Sequence, residues 1–228
     1  MVDGRRRARH LATQFLGRGD PTGWFEPLYA SAVGDPTAIP WADRRPNPHL
    51  VAWLDQPRTI REGRRALVVG CGLGDDAEEV VRRGWIVDAF DVAPTAVAWC
   101  RRRFPASPVA YQVGNLLDPP ATWSHAFDLI VEVYTLQALP PAPRSTALRN
   151  LAAFVAPGGT LLIIARGRER DDDPGVMPWP LTKEEIGAAT DYGLVETAFT
   201  DIIDDEQPPV RRFRVTYRRP SSPPLPFI

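Results

Sequence analysis

The pattern of apolar and polar positions changes near residue 64 of the chain. Before that point the sequence is irregular, rich in proline and dotted with aromatic side chains, with helical spacing near residues 22–32 and 49–55. After it, short apolar runs alternate with stretches of helical spacing, which is the pattern of a parallel sheet covered by helices. We therefore predict an N-terminal helical segment at residues 1–63, an α/β core at 64–219 and a proline-rich tail at 220–228.

The core is predicted to hold a doubly wound, mostly parallel, seven-stranded sheet. A helix at 144–155 should end before a Pro157-Gly158-Gly159 turn, and the fully apolar run that follows suits a strand buried on both faces. The last two runs have the spacing of a hairpin, so the last strand should be antiparallel. Thr182 to Glu185 has the sequence of a capping box and should begin a helix. The predicted strands lie at residues 65–69, 85–90, 109–113, 127–133, 160–165, 194–203 and 210–218.

Charge and composition exclude several classes of function. A net charge of -1 provides no field to attract nucleic acid, and no apolar run approaches the length of a transmembrane helix, so we expect neither partner. The basic cluster at residues 5–9 is expected to be a solvated tail. The 2 cysteines and 3 histidines show no metal-ligand spacing. We expect a cytoplasmic protein without a bound metal, either a monomer or a homodimer.

Alternating glycines follow the first predicted strand at Gly70, Gly72 and Gly74, and a helical pattern comes next. Glycine has no Cβ, so the backbone can turn sharply there and approach a ligand closely. Strand, glycine-rich turn and helix together form the nucleotide-binding corner of a doubly wound sheet. A dinucleotide fingerprint would need its third glycine at the position of Asp75. Asp75 and Asp76 would also repel a pyrophosphate, whereas they suit a ligand with a cationic end.

Asp91 ends the second predicted strand, about 20 residues beyond the glycines, where a carboxylate can accept hydrogen bonds from ribose hydroxyls. Pro94 then opens another helix. The glycine turn and this acidic loop resemble motif I and the following acidic loop of class I S-adenosylmethionine-dependent methyltransferases. The resemblance implies a Rossmann-like fold, S-adenosylmethionine as methyl donor and S-adenosylhomocysteine as product.

The resemblance also implies which residues contact the donor. Asn115 stands where these enzymes often carry an Asp, and its side-chain carbonyl can accept a hydrogen bond from the adenine amino group. Asp91 could instead cap a helix, and Gly114-Asn115 could form a plain turn, so both of these structural roles stay open. The candidate donor-binding residues are Trp41, Gly70, Cys71, Gly72, Asp91, Val92, Asn115, Leu116 and Glu132.

Further segments resemble the thiopurine methyltransferase-like branch of this family. They are Ile39-Pro40-Trp41, residues 127–130, Ala138 to Pro141 with Arg144, Pro157-Gly158-Gly159, and residues 178–186. That branch usually has an Asp-Arg pair after the fourth strand, where this chain has Glu132-Val133. The resemblance therefore does not imply a thiopurine-like substrate.

Residues after the fourth and fifth predicted strands are placed at the carboxyl edge of the sheet, where doubly wound folds bind ligands. Glu132 and Tyr134 are the candidate catalytic residues. The candidate residues for the methyl acceptor are Tyr29, Tyr134, Gln137, Arg144 and Trp179. The aromatic N-terminal segment, with Trp24, Tyr29 and Trp41, is predicted to close over the donor as a lid, or else to pack on the edge of the sheet.

No histidine stands where a general base is expected. A thiol or another soft nucleophile needs little help from a base, which favours a small-molecule acceptor of that kind. Small-molecule O- or N-methylation stays open, with Glu132 or Tyr134 as base or orienting group. A protein acceptor, a non-catalytic protein that binds S-adenosylmethionine and a nicotinamide-dependent oxidoreductase are the remaining alternatives, and the misplaced third glycine argues against the last.

Overall fold

The structure of the chain is a computed structural model that describes residues 2–56 and 63–221. Helices and strands alternate through the core, as the hydrophobic pattern predicts. The helices are α1 (Val2–Leu16), α2 (Phe25–Ser31), α3 (Pro48–Leu54), α4 (Asp75–Arg82), α5 (Pro94–Arg103), α6 (Pro141–Phe154) and α7 (Lys183–Gly187). The strands are β1 (Arg65–Val69), β2 (Ile86–Asp91), β3 (Ala110–Val113), β4 (Phe127–Val133), β5 (Val155–Arg166), β6 (Val195–Ile203) and β7 (Arg211–Arg218).

The strands form one seven-stranded sheet in the order β3-β2-β1-β4-β5-β7-β6. The β2–β3 and β4–β5 pairs are parallel, whereas β7 runs antiparallel to both β5 and β6. The predicted doubly wound, Rossmann-like α/β fold with an antiparallel last strand is therefore confirmed. Residues 161–165 in β5 are completely buried, because helices cover a doubly wound sheet on both faces.

The boundary between α6 and β5 differs most from the sequence prediction. The structure ends α6 at Phe154 and starts β5 at Val155, so Pro157-Gly158-Gly159 lies inside the strand instead of before it. The register of β5 against β4 shifts between Phe127 and Leu129, which accommodates these residues. A Cβ on Gly159 would lie 2.8 Å from the Ala156 carbonyl oxygen, so glycine is required at this irregular stretch.

The expectation of a solvated tail at residues 5–9 is wrong, because these residues lie in α1. Ala8 and Ala12 are buried one turn apart, on the same face of the helix. The four arginines of the cluster are exposed, so the helix buries small apolar side chains and leaves its charges in solvent. The sequence prediction missed this helix because its apolar stripe consists of only two alanines among arginines.

The chain forms two compact units. The described part of the first lies within residues 2–63 and 68–115, and that of the second within 64–67 and 116–221. The predicted N-terminal segment belongs to the first unit, and its role as a lid stays a prediction. The predicted tail at 220–228 falls mostly outside the described residues. Among residues 2–56 and 63–221, the helices are all too short or too polar to cross a bilayer.

Candidate active site

The glycine turn after β1 has a left-handed backbone at all three glycines. The φ angles of Gly70, Gly72 and Gly74 are 61°, 55° and 93°. The Cys71 N–H donates to the Phe90 carbonyl oxygen at 2.9 Å, and the Gly74 N–H donates to the Cys71 carbonyl oxygen at 2.9 Å. The turn therefore continues the end of β1, reverses tightly and delivers the chain to α4, as the predicted nucleotide-binding corner requires.

Asp91 joins this turn to the next helix. Its Oδ2 accepts a hydrogen bond from the Gly72 N–H at 3.0 Å, and its Oδ1 accepts one from the Ala93 N–H at 2.9 Å. Burial of the carboxyl raises its pKa to about 6, against the opposing effect of these two donors. The bond to Ala93 forms a turn just before α5, and the bond to Gly72 connects the two halves of the predicted motif. The Val92 N–H is a third backbone donor to this carboxyl. A carboxylate has about four acceptor positions, so these donors leave room for a ligand hydroxyl.

Tyr29 and Trp41 lie over the glycine turn. The Trp41 Nε1–H donates to the Tyr29 hydroxyl at 2.9 Å, and a Cβ built on Gly72 would lie 3.4 Å from that hydroxyl. Tyr29 is buried, and burial together with the Asp91 carboxylate raises the pKa of its phenol far above the ordinary value. Trp41 is 36% exposed. The structure thus places Tyr29 beside Trp41 and Gly72, two of the predicted donor-binding residues, whereas the sequence analysis predicted an acceptor contact for it.

The N-terminal segment is tied to the helix that follows Asp91. Glu26 in α2 accepts hydrogen bonds from the Thr95 N–H at 3.0 Å and the Thr95 hydroxyl at 2.6 Å, at the first turn of α5. Tyr29 also contacts Trp99 of α5 edge to face, with 6.4 Å between ring centroids. These contacts hold Tyr29 in place. No pattern in the sequence indicates that Glu26 would cap a helix 69 residues away.

The carboxylates at the start of α4 do not serve the role suggested by the sequence. Both Asp75 oxygens accept hydrogen bonds from the Arg103 guanidinium at 2.8 Å, and Asp76 Oδ1 accepts one from the Asn47 N–H at 2.6 Å. They therefore bind other parts of the protein, and the expectation that they face a cationic ligand is corrected. Their position in the first turn still favours the helix, because carboxylates complement the positive end of its dipole.

The other predicted donor-binding residues divide between the two units. Asn115 follows β3, where Val113 pairs with Asp91 and the Gly114 N–H donates to the Asp91 carbonyl oxygen at 3.0 Å. Asn115 and Val92 therefore belong with Asp91 in the first unit. Leu116 is buried in the second unit, where its carbonyl oxygen accepts a hydrogen bond from the Asn150 side chain at 2.8 Å.

Glu132 is completely buried near the end of β4 in the second unit. Its Oε1 accepts hydrogen bonds from the Thr135 N–H at 2.6 Å and the Leu136 N–H at 3.0 Å, whereas its Oε2 has no partner among the described residues. Burial raises the pKa of this carboxyl to about 7. Glu132 can therefore gain or lose a proton near neutral pH, as a general base must.

Tyr134 has a left-handed backbone, with φ of 64°, which is uncommon for a bulky residue and typical of functional sites. The Arg212 guanidinium lies over its ring, 4.9 Å from the centroid. Arg212 is itself buried, and its Nε donates to Asp204 Oδ2 at 2.7 Å while its other nitrogen donates to Glu206. Sequence reasoning missed Arg212, because an arginine in a hairpin strand belongs to no motif.

Gln137, Arg144 and Trp179 come together in the second unit. Gln137 is buried, its Oε1 accepts a hydrogen bond from the Arg166 N–H at 2.6 Å, and its carbonyl oxygen accepts one from the Trp179 N–H at 2.8 Å. The Arg144 guanidinium lies 5.7 Å from the centroid of the Trp179 ring. Gln137 therefore joins the end of β5 to the segment that carries Trp179. Tyr134 is placed separately, with Arg212.

Histidine and cysteine side chains add no metal site. His10 contacts the Gln14 side chain at 3.0 Å, and the His125 Nδ1 lies 3.0 Å from the Val155 carbonyl oxygen. The Cys100 thiol donates to the Gly72 carbonyl oxygen at 3.2 Å, behind the glycine turn. In the part of the chain that the structure describes, no group of three or more metal-ligating side chains occurs.

Comparison with known proteins agrees with this geometry. Residues 66–159 match the family model described as "Methyltransferase domain". The chain is 28% identical to the probable thiol methyltransferase 2 of Arabidopsis thaliana over 69% of this chain and 67% of the relative. It is 33% identical to a ubiquinone biosynthesis O-methyltransferase of Xanthomonas campestris over 49% of this chain and 46% of the relative. The chain therefore spans about half the length of that second relative.

A solved structure supports the fold. The N-methyltransferase NodS of Bradyrhizobium japonicum, in complex with S-adenosylhomocysteine, superposes with a TM-score of 0.68 at 21% identity, covering 85% of this chain and 97% of that one. At this identity the likeness concerns the fold. The two sequence relatives are named for thiol and for oxygen methylation, so the acceptor has to be argued from the residues of this chain.

Proposed function

Because the chain belongs to the class I S-adenosylmethionine-dependent methyltransferases, we propose that it methylates a small molecule. The accepting group is a thiol or another soft nucleophile. The observation that carries the proposal is the hydrogen bond from the Gly72 N–H to Asp91 Oδ2, at 3.0 Å. This bond joins the glycine turn to the acidic residue that ends β2. The thiol methyltransferase relative supports sulfur as the accepting atom.

The residues around the glycine turn fit the methyl donor. The Asp91 carboxylate would accept a hydrogen bond from the ribose diol, and Gly70, Cys71 and Gly72 allow the backbone to come close to the ligand. The Asn115 carbonyl would accept from the adenine amino group, and the half-exposed Trp41 would cover the bound molecule. Val92, Leu116 and Glu132 complete the proposed donor contacts. The donor supplies a methyl group that is already activated by its sulfonium. The protein therefore mainly has to orient the two substrates and to exclude water.

The proposed acceptor residues are Tyr134, Gln137, Arg144 and Trp179, with Tyr29 held at the donor turn. Glu132 is proposed to accept the proton of a thiol acceptor, because burial raises the pKa of its carboxyl to about 7, toward the thiol value of about 8.5. The thiolate that results is a strong nucleophile and needs no further activation. Tyr134, fixed by Arg212, is proposed to orient the acceptor.

Oxygen methylation is the second candidate. It is favoured by the same carboxyl, since a phenol acceptor needs a positioned base more than a thiol does. The ubiquinone biosynthesis relative supports it, over about half of that protein. The two candidates differ in how strongly they depend on Glu132.

A methyl-transfer screen over matched thiols, phenols and amines tests the proposal, with formation of S-adenosylhomocysteine and of the methylated product as readouts. We expect turnover with thiols, and a modest loss in Glu132→Gln at pH 8, where a thiol ionises without help. Turnover only with phenols, abolished in Glu132→Gln, would favour the second candidate. Donor binding without turnover on any acceptor would show a non-catalytic protein.

A further inference from the structure

The N-terminal segment meets α5 through the carboxylate of Glu26, in the first turn of α2. Glu26 Oε2 accepts a hydrogen bond from the Thr95 N–H at 3.0 Å, and its Oε1 accepts one from the Thr95 hydroxyl at 2.6 Å. The first N–H groups of a helix have no acceptor inside it, and the side chain of Ala93, which precedes α5, cannot supply one. Glu26 therefore caps α5 from a distant part of the chain, where a negative charge also complements the helix dipole.

The start of α5 carries a second carboxylate, that of Asp91. Asp91 Oδ1 accepts the Ala93 N–H at 2.9 Å. Pro94 has no N–H, so the next backbone donor is that of Thr95, which Glu26 takes. The two carboxylates thus accept successive backbone donors at one helix end. In the described part of the chain no arginine or lysine pairs with Glu26, so no cation offsets its charge beside Asp91.

Glu26 also anchors the aromatic side chains that lie over the glycine turn. Tyr29 stands three residues further along α2, on the same side of the helix. Its hydroxyl accepts the Trp41 Nε1–H at 2.9 Å and lies 3.4 Å from a Cβ built on Gly72. Its ring meets Trp99 of α5 edge to face. Because α2 is fixed to α5 at Glu26, both aromatic side chains are held at the turn that is proposed to bind the methyl donor.

We propose that Glu26 is a positioning residue of the donor site, which docks the N-terminal segment on α5 so that Tyr29 and Trp41 cover the bound donor. This inference rests on the proposed function, because it concerns the S-adenosylmethionine site around Asp91. Glu26 acts through other residues and does not itself contact the donor. Its hydrogen bonds to Thr95 keep the cover in place, and its negative charge makes Asp91 ionise at a higher pH.

Two other titratable groups face Asp91. Burial, together with the Asp91 carboxylate, raises the pKa of Tyr29 well above its ordinary value. A hydrogen bond with the Cys100 thiol, together with burial, raises the pKa of Cys71 in the same way. Both groups therefore stay uncharged near neutral pH, and Glu26 is the neighbour whose charge the titration of Asp91 reports.

Calorimetric titration with S-adenosylhomocysteine over a range of pH tests the inference with two complementary variants. Glu26→Gln keeps the length of the side chain but loses its charge and one acceptor oxygen. We expect Kd at pH 8 to rise about threefold to tenfold, because a hydrogen bond and a charge are lost. The midpoint of the pH dependence should fall below the wild-type value of about 6. Glu26→Asp keeps the charge on a shorter side chain, so Kd should rise while the midpoint stays.

Asp35→Asn is the matched control. It removes an equal charge from an exposed position of the same N-terminal segment, where asparagine can still accept the Thr37 N–H. Neither Kd nor the midpoint should change in this variant. If Glu26→Gln lowers Tm but leaves Kd and the midpoint unchanged, Glu26 is a structural cap only and the inference fails.

Thr95→Val tests the same contact with Glu26 left in place. The valine lacks the hydroxyl but keeps the backbone N–H, so Kd should rise about threefold with the midpoint unchanged, and Thr95→Ser should bind like the wild type. An unchanged Kd in Thr95→Val would overturn the inference even if Glu26→Gln does not fold. A wild-type chain that binds no S-adenosylhomocysteine at any pH would instead refute the proposed function, and the inference with it.

Discussion

Replacement of Asp91 by asparagine should weaken donor binding strongly while changing stability little. The asparagine amide is the same size as the carboxyl, but it offers one acceptor oxygen where Asp91 uses one oxygen for the Gly72 N–H and the other for the Ala93 N–H. The amide NH2 would therefore face a backbone donor. The charge that strengthens hydrogen bonds from the ribose hydroxyls is also lost. A loss of about 1.5–3 kcal/mol in binding free energy, or roughly 10- to 150-fold in Kd, is expected.

The stability of the variant follows from the pKa of Asp91. Because the folded pKa is raised from 3.8 to about 6, the protonated carboxyl favours the fold, and that contribution is lost as pH rises through about 6. At pH 7 the buried, ionised carboxylate thus lowers the free energy of unfolding by something on the order of 3 kcal/mol. The neutral amide of asparagine does not have this cost. The lost backbone hydrogen bond costs about 1–3 kcal/mol in the other direction, so the two effects roughly cancel.

The assay is calorimetric titration with S-adenosylhomocysteine beside thermal unfolding of the same samples. Asp88→Asn, on the same strand, is the matched control and should bind like the wild type. An unchanged Kd together with a clearly lower Tm would refute the reasoning, because Asp91 would then be a helix cap and not a ligand contact.

The pH dependence of donor binding, the N-terminal segment and two aromatic contacts each lead to a further prediction. Affinity for S-adenosylhomocysteine should rise between pH 5 and 7 (about one unit on each side of the Asp91 pKa of about 6), because the ionised carboxylate is the better acceptor, and titrations of Asp91→Asn should be flatter. Hydrogen exchange across residues 20–45 should slow on donor binding if that segment is a lid, and unchanged rates would leave it as packing. Trp179→Ala should raise the KM of the acceptor several-fold with donor Kd unchanged, as measured by steady-state kinetics and calorimetry. Arg212→Lys should lower kcat clearly and change Tm only slightly, since a lysine stacks on Tyr134 less well. A change in Tm without a change in kcat would indicate a structural role.

Some of this fold is predictable from the sequence because local and tertiary preferences agree. The run at 127–133 is strand β4 from end to end, since β-branched and apolar side chains suit a strand buried on both faces. The capping box at Thr182 is present as predicted, because both of its hydrogen bonds are local. The glycine turn and Asp91 are joined as expected, since their spacing along the chain reflects one β-turn-helix unit.

The remaining features depend on contacts between distant residues. Asp75 forms an ion pair with Arg103, and no local pattern in the sequence links these two positions. Arg212 reaches Tyr134 only because the β6–β7 hairpin pairs with β5, which brings together residues far apart in the chain. Arg144 Nη2, which has no hydrogen-bond partner in the described part of the chain, is likewise a result of packing. Long-range pairing of this kind leaves no trace in hydrophobic periodicity, so the geometry of the glycine turn was predictable, whereas the contacts of Arg212 and Arg144 were not.

The central claim is that the turn from Gly70 to Gly74, together with Asp91, binds the methyl donor. Parallel calorimetric titrations of the wild-type chain with S-adenosylhomocysteine and with NAD⁺ test it most directly. We predict a Kd of about 1 μM for S-adenosylhomocysteine, roughly -8 kcal/mol, and no binding of NAD⁺. Tight binding of NAD⁺, with none of S-adenosylhomocysteine, would contradict the claim.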